Sequence, residues 1–269
     1  NRALQHLPNG AAETAYAIGR EQLSVLNGPA PFQRWTPEAD LVLSPQALKL
    51  AGLIMKDDPL FDVAFQKALA ISENDGDAVA TEGTQRELMK MINNNRKRGG
   101  GKNGSLEQRI AQFAGKRLRE ATRIATFSIN GWDTHQGQDR SLPRALKRLS
   151  NAILTLQETV RGPVWNKTTV VAVTEFGRTA RKNGSGGTDH GTGGLMVMAG
   201  GALRGGRVMT EWPGLDEAQL YGRRDLLPTR DVRAYLAWLL HNQFGLSKSA
   251  LETSVFPGLD LGDNPRLIR

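Results

Sequence analysis

Cysteine is absent from this chain of 269 residues, and histidine occurs only four times. The absence of cysteine excludes disulfide scaffolds, zinc sites built on thiolates and catalysis by a cysteine nucleophile. Aromatic residues make up only 6% of the chain, and no apolar run is long enough to cross a membrane. With 39% hydrophobic residues, the chain can still bury a sizeable core, either as one large domain or as a core with a smaller appendage.

Acidic residues are outnumbered, with 27 Asp and Glu against 35 Lys and Arg, which gives a formal net charge of +8. Much of the excess lies between Asn93 and Lys102, a segment of asparagine, basic residues and glycine that is typical of a solvated loop. No aromatic side chain interrupts this segment to stack on a base, so we expect no nucleic-acid partner. Positive charge also attracts small anionic substrates such as phosphate or sulfate esters.

Secondary-structure signals divide the chain into two parts. Residues 1–120 are predicted to be mainly helical and packed on the core or inserted into it, after an irregular start with strand-like runs at 16–19 and 22–26. Helix starts are predicted in this part at Ser44, Asp57, Thr84 and Ser105. Residues 121–269 are predicted to form an α/β core.

The second part alternates strand and helix patterns. Short apolar runs at 124–129, 168–174 and 195–199 predict strands, and helices are predicted at 141–160 and from Thr229 or Asp231. The near-continuous apolar, β-branched character of 168–174 predicts an interior parallel strand covered on both faces. Strand, helix and strand in that order predict a right-handed βαβ unit.

Polar residues that can bind a metal ion lie at the ends of the predicted strands. Asp133 and His135 follow the first strand, Glu175 follows the second, and Asp189 and His190 precede the third within the glycine-rich run 183–194. In open parallel sheets, ligands bind outside the carboxyl ends of the strands. One or two divalent ions, zinc or similar, are the economical explanation for gathering three carboxylates and two imidazoles there.

Each of these motifs also has a purely structural interpretation. Asp133 with His135 fits a turn that caps the following segment. Asp189 with His190 fits a hydrogen-bonded loop, and Glu175 fits an ion pair with a nearby arginine. Their joint placement favours a site, because functional residues cluster on loops held by a rigid scaffold.

Four segments closely resemble the bacterial family called domain of unknown function 1501, which is grouped with the alkaline phosphatase and sulfatase superfamily. They are Asn130–Gln136, Thr174–Thr179, Asn183–Gly191 and Gly200–Gly206. The resemblance is clearest from Ser44 to the C-terminus. It implies a doubly wound α/β fold with a mostly parallel, alkaline-phosphatase-like sheet. It also implies an exported, periplasmic protein with a twin-arginine signal, although no signal peptide is visible in this chain.

The resemblance implies roles for the residues at the strand ends. Asp133 and His135 look like one ligand pair for a first metal ion. His190 looks like the third ligand of that ion, with Asp189 as a further ligand or as a partner of one. Glu175 ends the strand that in the superfamily delivers ligands to a second ion.

The function implied by the resemblance is metal-dependent hydrolysis of phosphate or sulfate esters, with Arg178 gripping a charged oxygen of a small substrate. The first strand of the superfamily carries a metal-binding aspartate and a serine or threonine nucleophile, and we identify neither here. The chain opens at Asn1 rather than methionine, so we expect further residues upstream in the mature protein. The alternative is a non-catalytic exported binding or assembly protein that retains the fold.

Overall fold

A computed structural model describes residues 1–8, 10–21, 23–37, 50, 52–54, 58–59, 62–63 and 104–269 of the chain. The helices predicted to start at Ser44, Asp57 and Thr84 lie wholly or largely outside these residues, as does the basic segment 93–102. The chain divides into two units, one made of Asn1–Trp35 with Ile110–Arg269 and one of Thr36–Arg109. The candidate site lies in the first unit.

Three parallel strands form the sheet of the first unit, in the order β2-β1-β3. β1 spans Ala15–Ile18, β2 spans Gln33–Trp35 and β3 spans Ile124–Phe127. β1 is buried along its whole length and is the central strand, with Tyr16 paired to Gln33 in β2 and to Ala125 in β3. A mixed α/β fold with a small parallel sheet is therefore confirmed. The strand predicted at 22–26 is wrong, since Ser24–Leu26 forms a 3-10 helix.

Residues 104–269 contain four α-helices longer than three residues: α1 at Leu106–Leu118, α2 at Gln138–Val160, α3 at Gly162–Trp165 and α4 at Val232–Phe244. Ser105 caps α1 as predicted, because its backbone N–H donates to the Gln108 side chain at 2.8 Å while its hydroxyl accepts from the Gln108 amide at 3.4 Å. α2 begins at Gln138 rather than Ser141 and ends as predicted, where Arg161 adopts a positive φ of 47°. α4 begins directly after Asp231, whose side chain accepts from the Arg233 amide.

The strand predicted at 168–174 forms, but in a different sheet. β4 (Val170–Ala172) pairs antiparallel with β7 (Val197–Ala199) in a two-stranded sheet of its own. The predicted interior parallel strand is therefore wrong, and in the described chain β3 and β4 do not join in one βαβ sheet. β4 is only half-buried. An apolar, β-branched run identifies a strand but contains no information on its partner or direction.

A further short pair of strands brings two distant motifs together. β5 (Gly177–Arg178) pairs antiparallel with β6 (His190–Gly191), so that Arg178 lies opposite His190. Among the described residues, an apolar cluster forms elsewhere, where Ala237 and Trp238 of α4 pack with Leu251. In the described part of the chain, no helix has both the length and the apolarity that crossing a bilayer requires.

Candidate metal centre

The glycine-rich run 183–194 folds back onto the segment that follows β3. The Thr188 amide donates to the Thr134 carbonyl at 3.1 Å, and the Gly137 amide donates to the Ser185 carbonyl at 3.1 Å. These backbone hydrogen bonds hold the two motif-bearing segments side by side. Asp133 and His135 are thereby placed next to Asp189 and His190.

Gly187 permits the closest contact between the two segments. A Cβ atom built on Gly187 would stand 2.2 Å from the carbonyl carbon of His135 and 2.4 Å from the carbonyl oxygen of Thr134. Only glycine fits where two backbones approach so closely. Asn183 fastens the same bend, because its side-chain oxygen accepts from the Ser185 and Gly187 amides while its Nδ2 donates to the His135 carbonyl, each at 3.0 Å.

Asp133, His135 and His190 converge on one point at this junction. Oδ1 of Asp133 lies 2.9 Å from Nε2 of His135 and 2.9 Å from Nε2 of His190. One ligand atom from each of the three side chains lies within 4.8 Å of the other two. One carboxylate and two imidazoles form a donor set that fits zinc or a similar divalent ion.

The converging side chains face solvent. The Asp133 side chain is 67% exposed, His190 is also exposed, and His135 is half-buried. Zinc sites that only support structure are usually closed by four protein ligands, whereas catalytic sites combine three protein ligands with a position for water or substrate. Three ligands on an open face match the second kind of site.

Asp189 contacts the other nitrogen of the His135 ring. Its Oδ1 lies 3.1 Å from Nδ1 of His135 and accepts from Nδ2 of Asn183 at 2.9 Å. The pKa of the Asp189 carboxyl is lowered, first by the hydrogen bond from Asn183 and then by the one from His135. A carboxylate behind a ligand histidine fixes the orientation of the ring and raises its basicity. In this geometry Asp189 orients His135 and leaves Nε2 directed to the converging group.

Asp189→Asn is expected to weaken zinc binding by about 10- to 100-fold, the effect typical of losing such an outer partner. A competition titration against a zinc-sensitive dye measures it, with Asp139→Asn as the control, since Asp139 is an exposed carboxylate at the start of α2. Because the folded-state pKa of Asp189 lies below its usual 3.8, its charge is complete at neutral pH. The contribution is lost only as pH falls through that lowered value. Unchanged zinc affinity in Asp189→Asn would contradict this role.

Arg178 is anchored beside the three converging side chains. Its Nη1 donates to Oδ1 of Asp133 at 3.0 Å, and its Nε donates to the Thr188 hydroxyl at 3.0 Å. The pKa of Asp133 is lowered by its hydrogen bonds, first from His190 and then from Arg178. A guanidinium fixed at this place borders the open face of the centre.

Glu175 is not part of the converging group. It lies exposed between β4 and β5, and its role as a ligand to a second ion stays a prediction. The next residue, Phe176, packs its ring against that of His190, with 4.1 Å between the ring centroids. The structure thus brings together Asp133, His135, Asp189, His190 and Arg178 from the predicted set, and leaves Glu175 outside.

Two residues that the sequence reasoning did not single out also shape the centre. Asn183 had a recognisable signal, because asparagine at the head of a glycine-rich run favours bonds from its side chain to nearby backbone. Arg224 had none: its Nη2 donates to the His190 carbonyl at 3.2 Å across 34 positions of sequence. No local pattern predicts so distant a contact.

Comparison with known families gives one match. The model of the family described as "Protein of unknown function (DUF1501)" matches residues 6–254, which include every residue of the candidate centre. Comparisons with curated proteins and with solved structures find no match. The matched range covers most of the chain, and the chain therefore belongs to the DUF1501 family.

Proposed function

We propose that this protein is a metal-dependent hydrolase of phosphate or sulfate esters. The observation that carries the proposal is the open group of Asp133, His135 and His190, with the Arg178 guanidinium bonded to the same carboxylate oxygen. Asp133, His135 and His190 would hold a divalent ion such as zinc. When bound, such an ion supplies Lewis-acid chemistry toward ester oxygens.

Arg178 provides the selectivity for an anionic substrate. Its contacts with Asp133 and Thr188 fix the guanidinium in place without using all of its N–H donors. The remaining donors can bind a charged oxygen of a phosphate or sulfate ester, an interaction for which the planar guanidinium is well suited. Because the group is already held before substrate arrives, little conformational entropy is lost on binding.

Two other contacts hold the rings of the two ligand histidines in position for this reaction. Asp189 holds the His135 ring through Nδ1, so that Nε2 stays available. Phe176 packs against one side of the His190 ring, with 4.1 Å between the ring centroids. The positive net charge of the chain, +8, adds a long-range attraction for anionic esters.

The test is hydrolysis of p-nitrophenyl phosphate, bis(p-nitrophenyl) phosphate and p-nitrophenyl sulfate by the full-length protein, first stripped of metal and then reloaded with zinc, manganese or magnesium. We expect hydrolysis that a chelator abolishes and added metal restores. Arg178→Gln should lower kcat/KM by about 100-fold, as expected for losing a preorganised donor to a developing negative charge.

Arg181→Gln is the matched control, because Arg181 is an exposed arginine close in sequence that pairs with Glu217 instead of the centre. It should leave kcat/KM unchanged. If the reloaded protein binds metal but hydrolyses none of the three esters, the hydrolase proposal fails. The alternative of a non-catalytic binding or assembly protein then stands.

A further inference from the structure

A tight turn at residues 221–225 brings a second guanidinium to the backbone of His190. Tyr221 and Asp225 pair across the turn, and Gly222 and Arg223 both adopt positive φ angles, 56° and 60°. For a non-glycine residue such as Arg223 this conformation is strained, and such strain persists only where surrounding structure imposes it. The segment after β5 contributes to that structure. The Ala180 amide donates to the carbonyl of Arg224, the residue after Arg223, at 3.0 Å.

The turn contains a buried carboxylate whose charge partner is Arg224. The Asp225 side chain is only 10% exposed, and its Oδ2 accepts from the Thr192 hydroxyl at 3.0 Å. Its Oδ1 has no hydrogen-bond partner among the described residues and lies 3.2 Å from Nη1 of Arg224. A buried carboxylate is costly unless a positive charge compensates it. Asp225 is therefore a positioning residue that holds the Arg224 guanidinium in place.

Arg224 points from this anchor toward a residue of the converging group. Its Nη2 donates to the backbone carbonyl of His190 at 3.2 Å, while its side chain stays 58% exposed. Arg178 lies opposite His190 in the β5–β6 pair. Nη1 of Arg178 donates to the Asp133 oxygen that lies 2.9 Å from Nε2 of His190. One guanidinium thus shares a partner with the His190 ring, and the other bonds to the His190 backbone. Both have N–H donors that these contacts do not use.

We propose that Arg178 and Arg224 together form an anion clamp that selects monoesters over diesters. The inference rests on the proposed function and narrows its substrate class. A phosphate or sulfate monoester has three non-bridging oxygens, one for the ion held by the ligand side chains and one for each guanidinium. A diester has only two such oxygens, so one guanidinium would be left without a partner. Phosphate and sulfate monoesters share this geometry.

Equilibrium binding separates this inference from activity. Isothermal titration of the zinc-loaded protein with inorganic phosphate, and separately with inorganic sulfate, is expected to show at least about tenfold weaker anion binding in Arg224→Gln, since a hydrogen bond to a charged group is lost. Zinc affinity should be unchanged. Arg223→Gln is the matched control, because it removes the same charge from the same turn and pairs with Glu217 instead of the centre.

Two results would overturn the clamp. If Arg224→Gln binds both anions as tightly as Arg223→Gln, the guanidinium does not contact the ligand. If Arg224→Gln loses zinc along with the anion, Arg224 only braces the His190 backbone. Preference for phosphate over sulfate, or the reverse, identifies which of the two monoesters the clamp serves.

Kinetics then distinguish failure of the clamp from failure of the hydrolase. Arg224→Gln should lower kcat/KM for the p-nitrophenyl monoesters and spare bis(p-nitrophenyl) phosphate, which lowers the monoester-to-diester ratio. Hydrolysis with an unchanged ratio removes the clamp and keeps the hydrolase. Anion binding that depends on Arg224, without hydrolysis of any ester, keeps the clamp and removes the hydrolase.

Discussion

Replacing His135 and His190 together by alanine is expected to abolish zinc binding. The two imidazoles supply two of the three ligand atoms that lie within 4.8 Å of one another. The loss should exceed the roughly 10- to 100-fold typical of removing an outer partner, because direct ligands disappear. Zinc content after dialysis, measured by atomic mass spectrometry, together with a competition titration, provides the readout.

His6→Gln is the control for this experiment. His6 is also a histidine, but its Nε2 lies 2.9 Å from the Ser254 hydroxyl and not in the converging group. It should retain zinc as wild type does. Circular dichroism of the double variant checks that the fold is preserved. If the folded double variant still holds one equivalent of zinc, the assignment of these two ligands is wrong.

Gly187→Ala is expected to disrupt the centre without touching a ligand side chain. The new methyl group would stand 2.2 Å from the His135 carbonyl carbon, and backbone atoms cannot rotate away as a flexible side chain can. The segment that carries His135 must therefore move. We expect a loss of about 1–3 kcal/mol in the free energy of unfolding, the usual effect of overpacking, together with weaker zinc binding. Urea unfolding and the zinc titration measure the two effects.

Gly184→Ala is the matched control for Gly187→Ala. Gly184 lies in the same glycine-rich run, and a Cβ atom built on it meets nothing within 4 Å. Its replacement should change the free energy of unfolding by no more than about 0.5 kcal/mol. Equal behaviour of the two variants in both measurements would show that close approach at Gly187 does not maintain the centre.

The centre was more predictable from sequence than the sheet was. Asp133 and His135 lie two positions apart, Asp189 and His190 are adjacent, and the glycines beside them mark a close backbone approach. Residues so close in sequence stay near one another however the strands pair. The contact between the two motifs was expected at one edge of a parallel sheet, but the structure achieves it through loop-to-loop hydrogen bonds such as that of Thr188 to Thr134.

Strand pairing was the part that the sequence could not specify. The run at 168–174 predicted β4 correctly as a strand, but its antiparallel pairing with β7 depends on residues far along the chain. Apolar composition reports burial, and burial is compatible with either strand direction. Arg224 was missed for a related reason, because a long side chain on a surface turn has no periodicity to detect.

The two carboxylates around His135 have a consequence for its protons. Its Nε2 lies 2.9 Å from Asp133 and its Nδ1 lies 3.1 Å from Asp189. An ionised carboxylate only accepts hydrogen bonds, so Nδ1 is the donor in its contact with Asp189, and in the neutral ring the lone pair then lies on Nε2. A metal ion binds the neutral ring. The contact with Asp189 therefore selects the tautomer whose unprotonated nitrogen faces the converging group, so an ion can bind at Nε2 without a proton moving within the ring.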